Sequence, residues 1–379
     1  MNAWAWLAAC AFGMLLWTWF LYPLTVLFAS RLTQARPPAL LTATPSVSAI
    51  LAARADVDAI VERVEDFLAA DYPRDRLQVV VGVDGASAAT LAEIRSACLR
   101  FSAVVVAADS EGGKAAGLNA AVREATGEVL VFSDVQQRFS PDAIRLLVGR
   151  LAADPRLGSV GGALQLPGDR PGAGSRSPVE WYWFLERLLR AAEARLHSSV
   201  GISGSIYAMW RRDWLPMPAH LILDDVWLPM RLVLAGRRVG YDMTAKAWDA
   251  RSTTLAQEKI RKVRTLTGNF QLMAWLPALL VPLRNPIWLQ FISHKVLRLL
   301  TPWMVFALIA GVAGVTLRAV PATQLRALLG GISVAAVVVL LTPKTRYIVV
   351  RGAAWGWSLQ TAVVEATMNA MRGRWNVWR

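Results

Sequence analysis

The segment FSDVQQ, residues 132–137, puts one carboxylate, Asp134, at the end of an apolar run. Two residues on, where a metal site built on a pair of acids would carry its second carboxylate, stands Gln136. A carboxylate and an amide carbonyl are both hard oxygen donors of the kind Mg²⁺ and Mn²⁺ prefer, and such ions are held by few protein groups when substrate phosphates supply the rest. Asp84 closes a second apolar run, in a VDG sequence whose Asp-Gly pair is also a strong turn signal. Lys114 ends the loop DSEGGK. Other phosphate-binding chemistries fail on inspection: no G-x-G-x-x-G follows the first apolar run, and ADSEGGKA lacks both the leading Gly and the final Ser or Thr of a P-loop. Cys10 and Cys98 are too few for a disulfide framework or a thiolate metal site, and His197, His220 and His294 have no ligand spacing.

The elements around these residues alternate in period. SVSAIL reads as a strand, DVDAIVERVEDFLAA as a helix with Val57, Ile60, Val64, Phe67 and Leu68 on one face, and LQVVVGV as the next strand. The alternation continues through TLAEIRSACLRF, SAVVVAA, KAAGLNAAVREATG, EVLVFS, PDAIRLLVGRLAADP and GSVGGAL, which predicts an α/β domain with a largely parallel central sheet. Ligands of such sheets bind beyond the carboxyl ends of the strands, so Ala53 to Asp56, Asp84, the DSEGGK loop and Asp134 are the candidate positions.

The rest of the chain belongs to a different solvent. Of 379 residues 55% are hydrophobic and 17 are Trp, too apolar and aromatic for an ordinary soluble enzyme. No charge occurs from Ala3 to Ala29, long enough to cross a bilayer, and without a basic leader it reads as a retained anchor covering residues 1–30. Thr301 to Leu317 and Ala327 to Pro343 predict a transmembrane hairpin (301–343), preceded by Trp- and Pro-rich interfacial helices at 271–300. In the C-terminal segment 344–379, Gly352 to Met371 is apolar but contains Glu365, which leaves spanning, interfacial and packed placements open. Arg31 and Arg36 after the first span, and Lys344, Arg346 and Arg351 after the hairpin, put both flanks and the middle domain in the cytoplasm under the positive-inside rule. The net charge of +14 favours anionic headgroups or a phosphorylated substrate.

Six blocks in order, ILAAR, DYPRDRLQVVVGVDGAS, GGKAAGLNAAV, GEVLVFSDVQQRFSPDAI, VGISGSIYAMWRRDWL and LDDVWLPMRLVLAGRRVGYD with RKVRTLTGN, resemble the membrane-bound family 2 glycosyltransferases, the group of cellulose, chitin and hyaluronan synthases. The likeness covers about Pro45 to Asn269, that is a domain at 45–270. It implies a GT-A fold, a nucleotide-sugar donor, commonly UDP-linked, Mg²⁺ or Mn²⁺, and inverting transfer to a lipid-linked or polymeric glycan in polysaccharide synthesis at a bacterial inner membrane. Other polysaccharide-assembly proteins are implied as partners, and nucleic acid is not. By position, Asp84 and Lys114 hold the donor together with Ala53 and Asp56, and Asp134 is the first acid of the D-x-D element whose second is Gln136. Asp224 and Asp225 resemble the acids of the T-E-D element, with Asp225 the general base that takes the acceptor hydroxyl proton. Gly201, Ser203 and Gly204 match the loop beneath the sugars. In RKVRT, Arg261 and Thr265 replace the Gln and Trp of Q-x-x-R-W while Arg264, expected on the leaving diphosphate, remains.

Those departures, with ARAD in place of the usual Ala-Arg-Asn-Glu, admit a second reading: a membrane-tethered nucleotide or glycan sensor that keeps the transferase fold without turnover. A transporter is disfavoured by the few spans and by Glu365 being the one acidic residue in them.

Overall fold

The structure, a computed structural model, describes residues 2–33, 44–54, 56–108, 113–169, 178–249, 255–319, 321, 324, 341 and 343–375. It divides into two compact units. The helical unit comprises Met1–Leu24, Thr253–Phe270 and Ile292–Arg374, and the sheet unit chiefly Thr25–Ser252 and Gln271–Phe291.

The chain begins with α1 (Ala3–Leu16), capped by Asn2, whose Oδ1 accepts from the Ala5 amide at 2.9 Å. The helix runs through a π-helical turn, Trp17–Leu21, into α2 (Tyr22–Arg31). The sheet unit then alternates as its periodicity predicts: β1 (Val47–Ala53), α3 (Val57–Leu68), β2 (Leu77–Val83), α4 (Ala88–Leu99), β3 (Val104–Ala107), α5 (Lys114–Arg123) and β4 (Val129–Asp134). There follow β5 (Gln137–Phe139), α6 (Ala143–Ala152), β6 (Leu157–Gln165), α7 (Pro178–Leu196), β7 (Tyr207–Trp210), α8 (Asp224–Leu234) and β8 (Arg238–Asp249).

The eight strands form one sheet in the order β3-β2-β1-β4-β7-β6-β8-β5. Its first half is parallel, with β1 paired to both β2 and β4. The expectation of a largely parallel sheet holds for β3, β2, β1, β4, β6 and β8, which all run the same way; the two reversed strands are β7, antiparallel to β4 and to β6, and β5, antiparallel to β8. The physical reason lies in the connection. Parallel neighbours need a helical crossover, and β7 instead arrives from a loop and inserts between β4 and β6.

Strands covered on both faces read as unbroken apolar runs. Ala49 and Leu51 lie in one core with Ile60, Val64 and Phe67 of α3 and Ile144, Leu147 and Leu151 of α6, while the alternate residue Ile50 is fully buried outside that cluster. Gly82 allows α5 to lie against β2: a Cβ there would stand 2.0 Å from the backbone oxygen of Gly117, too close for any side chain.

After β8 come α9 (Leu255–Trp275), short turns including α10 (Trp288–Phe291) and α11 (Leu297–Leu299), then α12 (Thr301–Ala319) and α13 (Pro343–Met371). Within the helical unit α12 packs on α1 through small residues, since a Cβ on Gly311 would meet the Ala8 amide nitrogen at 2.6 Å and one on Gly314 would enter the Trp4 ring at 2.3 Å. Among the described residues two helices are long and apolar enough to cross a membrane, Ala3–Arg31 and Thr301–Ala319. In the expected second arm of the hairpin, residues 327–340 and 342 lie outside the described residues. Glu365, on α13, has Lys259 of the same unit at 3.8 Å.

Candidate active site

Three parallel strands deliver their last residues to one edge. Ala52 of β1 is in register with Asp134 of β4, and Ala53 with Val83 of β2, so the end of β1, Asp84 after β2 and Asp134 come together. The Asp84 amide donates to the Ala53 carbonyl at 3.0 Å, which ties the two strand ends. Ala53 itself is buried. Asp56 does local work: its carboxylate accepts from the Ala59 amide at 3.2 Å and caps α3. Residues 109–112 of the DSEGGK loop lie outside the described residues.

Lys114 opens α5 directly after Gly113, whose φ of +69° is a conformation that side chains resist. From there its ammonium reaches 2.9 Å from Asp134 Oδ1 and 3.0 Å from Asp224 Oδ2. Burial alone would lower the Lys114 pKa, but Asp134, Asp224 and Asp225 outweigh it and hold the group charged well beyond the ordinary lysine range. The other Asp134 oxygen accepts from the Ser205 hydroxyl at 3.2 Å.

Asp224 and Asp225 form the first turn of α8, where the helix dipole favours acids. Leu223 is the N-cap, and Asp224 has the ammonium of Lys114 as its partner instead of capping the helix. Asp225 is tied to the glycine loop, because its carbonyl accepts from the Ile202 amide at 3.1 Å. A Cβ on Gly204 would lie 3.3 Å from both Asp225 Cβ and Lys114 Nζ, so this glycine brings the loop backbone against the charged cluster. Gly201 and Ser203 are buried in the same loop, and Ser203 bridges to Ile206.

Gln136 is exposed in the two-residue turn between β4 and β5. Its neighbour Gln137 faces inward and donates to Asp249 Oδ2 at 3.1 Å. Arg261 and Arg264 lie on α9 within the helical unit, the first exposed and the second half-buried.

Several residues were not legible as site members. Arg63 of α3 is fully buried, its guanidinium 3.9 Å from the Phe67 ring centre and 4.2 Å from that of Phe139. It donates from Nε and Nη2 to Ser133 Oγ at 3.1 and 2.9 Å and pairs with Asp66, which braces the strand end that presents Asp134. Burial, then Arg138, push its pKa down to about 9 against the pull of Asp134. Tyr207 is buried with its hydroxyl unpartnered among the described residues, and burial followed by Asp224, Asp225 and Asp134 holds its pKa well above the usual phenol value. On α7 the buried Arg187 pairs with Asp169 at 2.8 Å and Arg190 with Glu186 at 3.2 Å. Burial lowers the Arg190 pKa, but Glu186, Tyr241 and Asp225 raise it on balance.

The donor set suits a divalent ion only in part. Asp134 is a hard oxygen donor with over a third of its side chain exposed, and Gln136 stands exposed on the next turn. No group of three His, Cys, Asp or Glu among the described residues forms a complete cage, so for an ion held at Asp134 phosphate oxygens and water would have to fill the rest of the coordination shell. That is the usual arrangement for magnesium at a nucleotide diphosphate.

Comparison with known proteins gives the family and the fold. The profile of the family described as "Glycosyltransferase like family 2" matches residues 45–268. Poly-beta-1,6-N-acetyl-D-glucosamine synthases from two strains of Staphylococcus aureus are 20% identical over 231 residues, 60% of this chain and 55% of theirs. The match thus spans little more than half the length of these curated relatives. A mannosyltransferase from Pyrobaculum calidifontis, solved in complex with GDP-Man and Mn²⁺, superposes with a TM-score of 0.70 at 21% identity, covering 96% of this chain and 99% of that one. At that identity the likeness speaks for the fold. The parallel strand ends, the mixed sheet and the match across more than half the chain make this protein a member of the glycosyltransferase family 2, built on the GT-A fold.

Proposed function

We propose that the chain is an inverting glycosyltransferase that moves a sugar from a nucleoside-diphosphate sugar to a lipid-linked or growing glycan at a membrane, in polysaccharide synthesis. The observation that carries this reading is the convergence of Lys114, Asp134 and Asp224 at the carboxyl edge of β1, β2 and β4, with Asp225 beside them. Asp84 and Lys114 would hold the donor, Asp84 on the uracil or ribose. Asp134, with Gln136, would hold a divalent ion, which when bound neutralises charge developing on the diphosphate. The Asp225 carboxylate would take the proton of the acceptor hydroxyl as that oxygen attacks the anomeric carbon from the side opposite the departing diphosphate. The loop of Gly201, Ser203 and Gly204 lets backbone, not side chains, line the sugar. The role that the resemblance gives Arg264, neutralising the leaving diphosphate with Arg261 assisting, belongs to the same proposal. The apolar helices Ala3–Arg31 and Thr301–Ala319 support the membrane location, with the sheet unit on the cytoplasmic side by the positive-inside rule.

The test is release of nucleoside diphosphate from a panel of UDP- and GDP-sugars by the full chain in lipid, with Mg²⁺, Mn²⁺ or EDTA, for wild type and Asp225→Asn. Metal-dependent turnover that falls by a factor of about 10³ or more in Asp225→Asn, as expected when a general base is lost from a preorganised site, supports the assignment. Tight nucleotide binding without turnover, with every acceptor fraction supplied, would favour the sensor reading raised by Gln136, Arg261 and Thr265.

A further inference from the structure

Lys114 occupies an unusual position for a donor-binding residue. Its ammonium lies between two carboxylates from different elements, 2.9 Å from Asp134 on β4 and 3.0 Å from Asp224 on α8, and is about one-fifth exposed. Asp134 is also the one D-x-D carboxylate this chain retains, because Gln136 cannot contribute a negative charge. The ammonium is shared with Asp224, yet at contact distance it occupies Asp134 Oδ1, offsets part of that carboxylate's charge and repels a second cation brought alongside.

Resting on the reading of this site as one for a sugar nucleotide, we propose that Lys114 is the resident cation of the donor site: it holds Asp134 and Asp224 in the absence of donor, so that Asp134 accepts a divalent ion only together with a diphosphate. The diphosphate brings the negative charge that lets two cations share the site, and it gives the ammonium phosphate oxygens to move to. Asp224 keeps the lysine within reach when Asp134 is released. The replacement of the second D-x-D acid by Gln136 then acquires a consequence. With two acids the ammonium would leave one carboxylate to the metal, whereas with one acid the lysine and the metal compete for the same group.

The experiment measures Mn²⁺ binding by the electron paramagnetic resonance signal of the free aqua ion, on the full chain in lipid nanodiscs. Wild type, Lys114→Gln and Lys114→Arg are each titrated with Mn²⁺ alone, with Mn²⁺ plus UDP, and with Mn²⁺ plus GDP. Wild type is expected to bind Mn²⁺ at least tenfold more weakly alone than with the nucleotide it accepts. Lys114→Gln is expected to gain at least tenfold in affinity for Mn²⁺ alone, and Lys114→Arg, which keeps the charge, to gain nothing. Unchanged affinity for Mn²⁺ alone in folded Lys114→Gln overturns the proposal. If Lys114→Gln does not fold, wild type and Lys114→Arg decide it: tight nucleotide-free binding of Mn²⁺ by either overturns it, and weak binding by both, restored by nucleotide, supports it. Failure of both UDP and GDP to bind counts against the sugar-nucleotide reading instead, and is seen separately from the response to metal alone.

Discussion

In the sheet unit the interior holds Ile50, Val81, Leu130 and Ile144, and the charged side chains that lie inside come with partners: Arg63 with Asp66, Arg187 with Asp169, and Lys114 with two aspartates. In the helical unit Phe12, Phe306 and Ile309 are 56%, 71% and 63% exposed, whereas Thr18, Ser293 and His294 are buried. The helical unit buries apolar residues too, Leu299 and Met304 among them, but among the described residues it leaves more large apolar side chains outside than the sheet unit does. Water rewards the first arrangement through the hydrophobic effect. The second gains nothing in water and would present a large apolar patch. Around hydrocarbon it is sensible: apolar side chains cost nothing outside, and helices associate through small residues and neutral hydrogen bonds, as Gly311 and Gly314 do against α1. Among the described residues, buried charged side chains are thus concentrated in the unit that carries the candidate chemistry.

The most damaging change to the sheet unit is expected to be Gly82→Ala. Its added methyl would stand 2.0 Å from a backbone oxygen of α5, which has no rotamer by which to yield. Separating α5 from β2 should cost more than about 3 kcal/mol and displace Lys114 at the head of that helix. Chemical denaturation followed by near-ultraviolet circular dichroism reads the cost, and nucleotide binding reads the displacement. An unfolding midpoint equal to wild type would show that β2 and α5 do not pack as described.

For the helical unit the corresponding change is Phe306→Arg. If lipid surrounds this face, a charge there should weaken membrane insertion by about 2–3 kcal/mol, seen as release of the protein on alkaline extraction of membranes. If water surrounds it, the same substitution would leave extraction unchanged and improve solubility, and the contrast between the units would lose its explanation.

Arg63→Met falls next. It fills the slot between Phe67 and Phe139 with an apolar chain of similar length but takes the guanidinium from Ser133 and from Asp66, which keeps the Phe139 amide at 3.2 Å. Breaking one side of a buried pair typically costs 3 kcal/mol or more, and the partial exposure of Asp66 brings the expectation to about 2 kcal/mol. The double substitution Arg63→Met with Asp66→Asn should recover part of that loss, and no recovery would mean that packing, not charge, holds Arg63 there.

Arg63 also shows where sequence reasoning stopped. Ile60, Val64 and Phe67 were legible as one helical face, and residue 63 lies on that face by the same spacing, so an arginine inside an apolar stripe was the available signal. The parallel half of the sheet was legible for a related reason: β1, β2 and β4 are continuous apolar runs, and each ends at or beside a residue marked by its chemistry, Ala53, Asp84 and Asp134. The reversed strand β7 was not, since it pairs with β4 and β6 across long stretches of chain and no local period encodes such a pairing. Lys114, Asp134 and Asp224 were each named from the sequence, but the ion pairs that join them depend on how α5, β4 and α8 meet. The neutral character of Gln136 was visible, and its competition with Lys114 was not.

The smallest expected effect tests the helical unit from inside. Trp17 donates its indole N–H to the buried Ser293 hydroxyl at 2.9 Å, and Trp19 donates to Thr301 at 3.1 Å, so these links of the first helical segment to later ones use neutral donors. In water such a bond contributes about 1 kcal/mol net, and in membranes double-mutant cycles average about 0.6 kcal/mol, because the separated helices also find partners. Trp17→Phe, Ser293→Ala and the double variant, compared by unfolding of the protein in lipid, should yield a coupling of that size. A coupling of several kcal/mol would instead require an environment in which neither group has an alternative partner, and would place the bond beside strong buried pairs such as Arg187–Asp169. A coupling near zero, with Trp17→Phe alone still destabilising, would assign Trp17 a packing role against Tyr22, whose ring centre lies 6.3 Å away, and leave Gly311 and Gly314 as the principal means by which α1 and α12 are held.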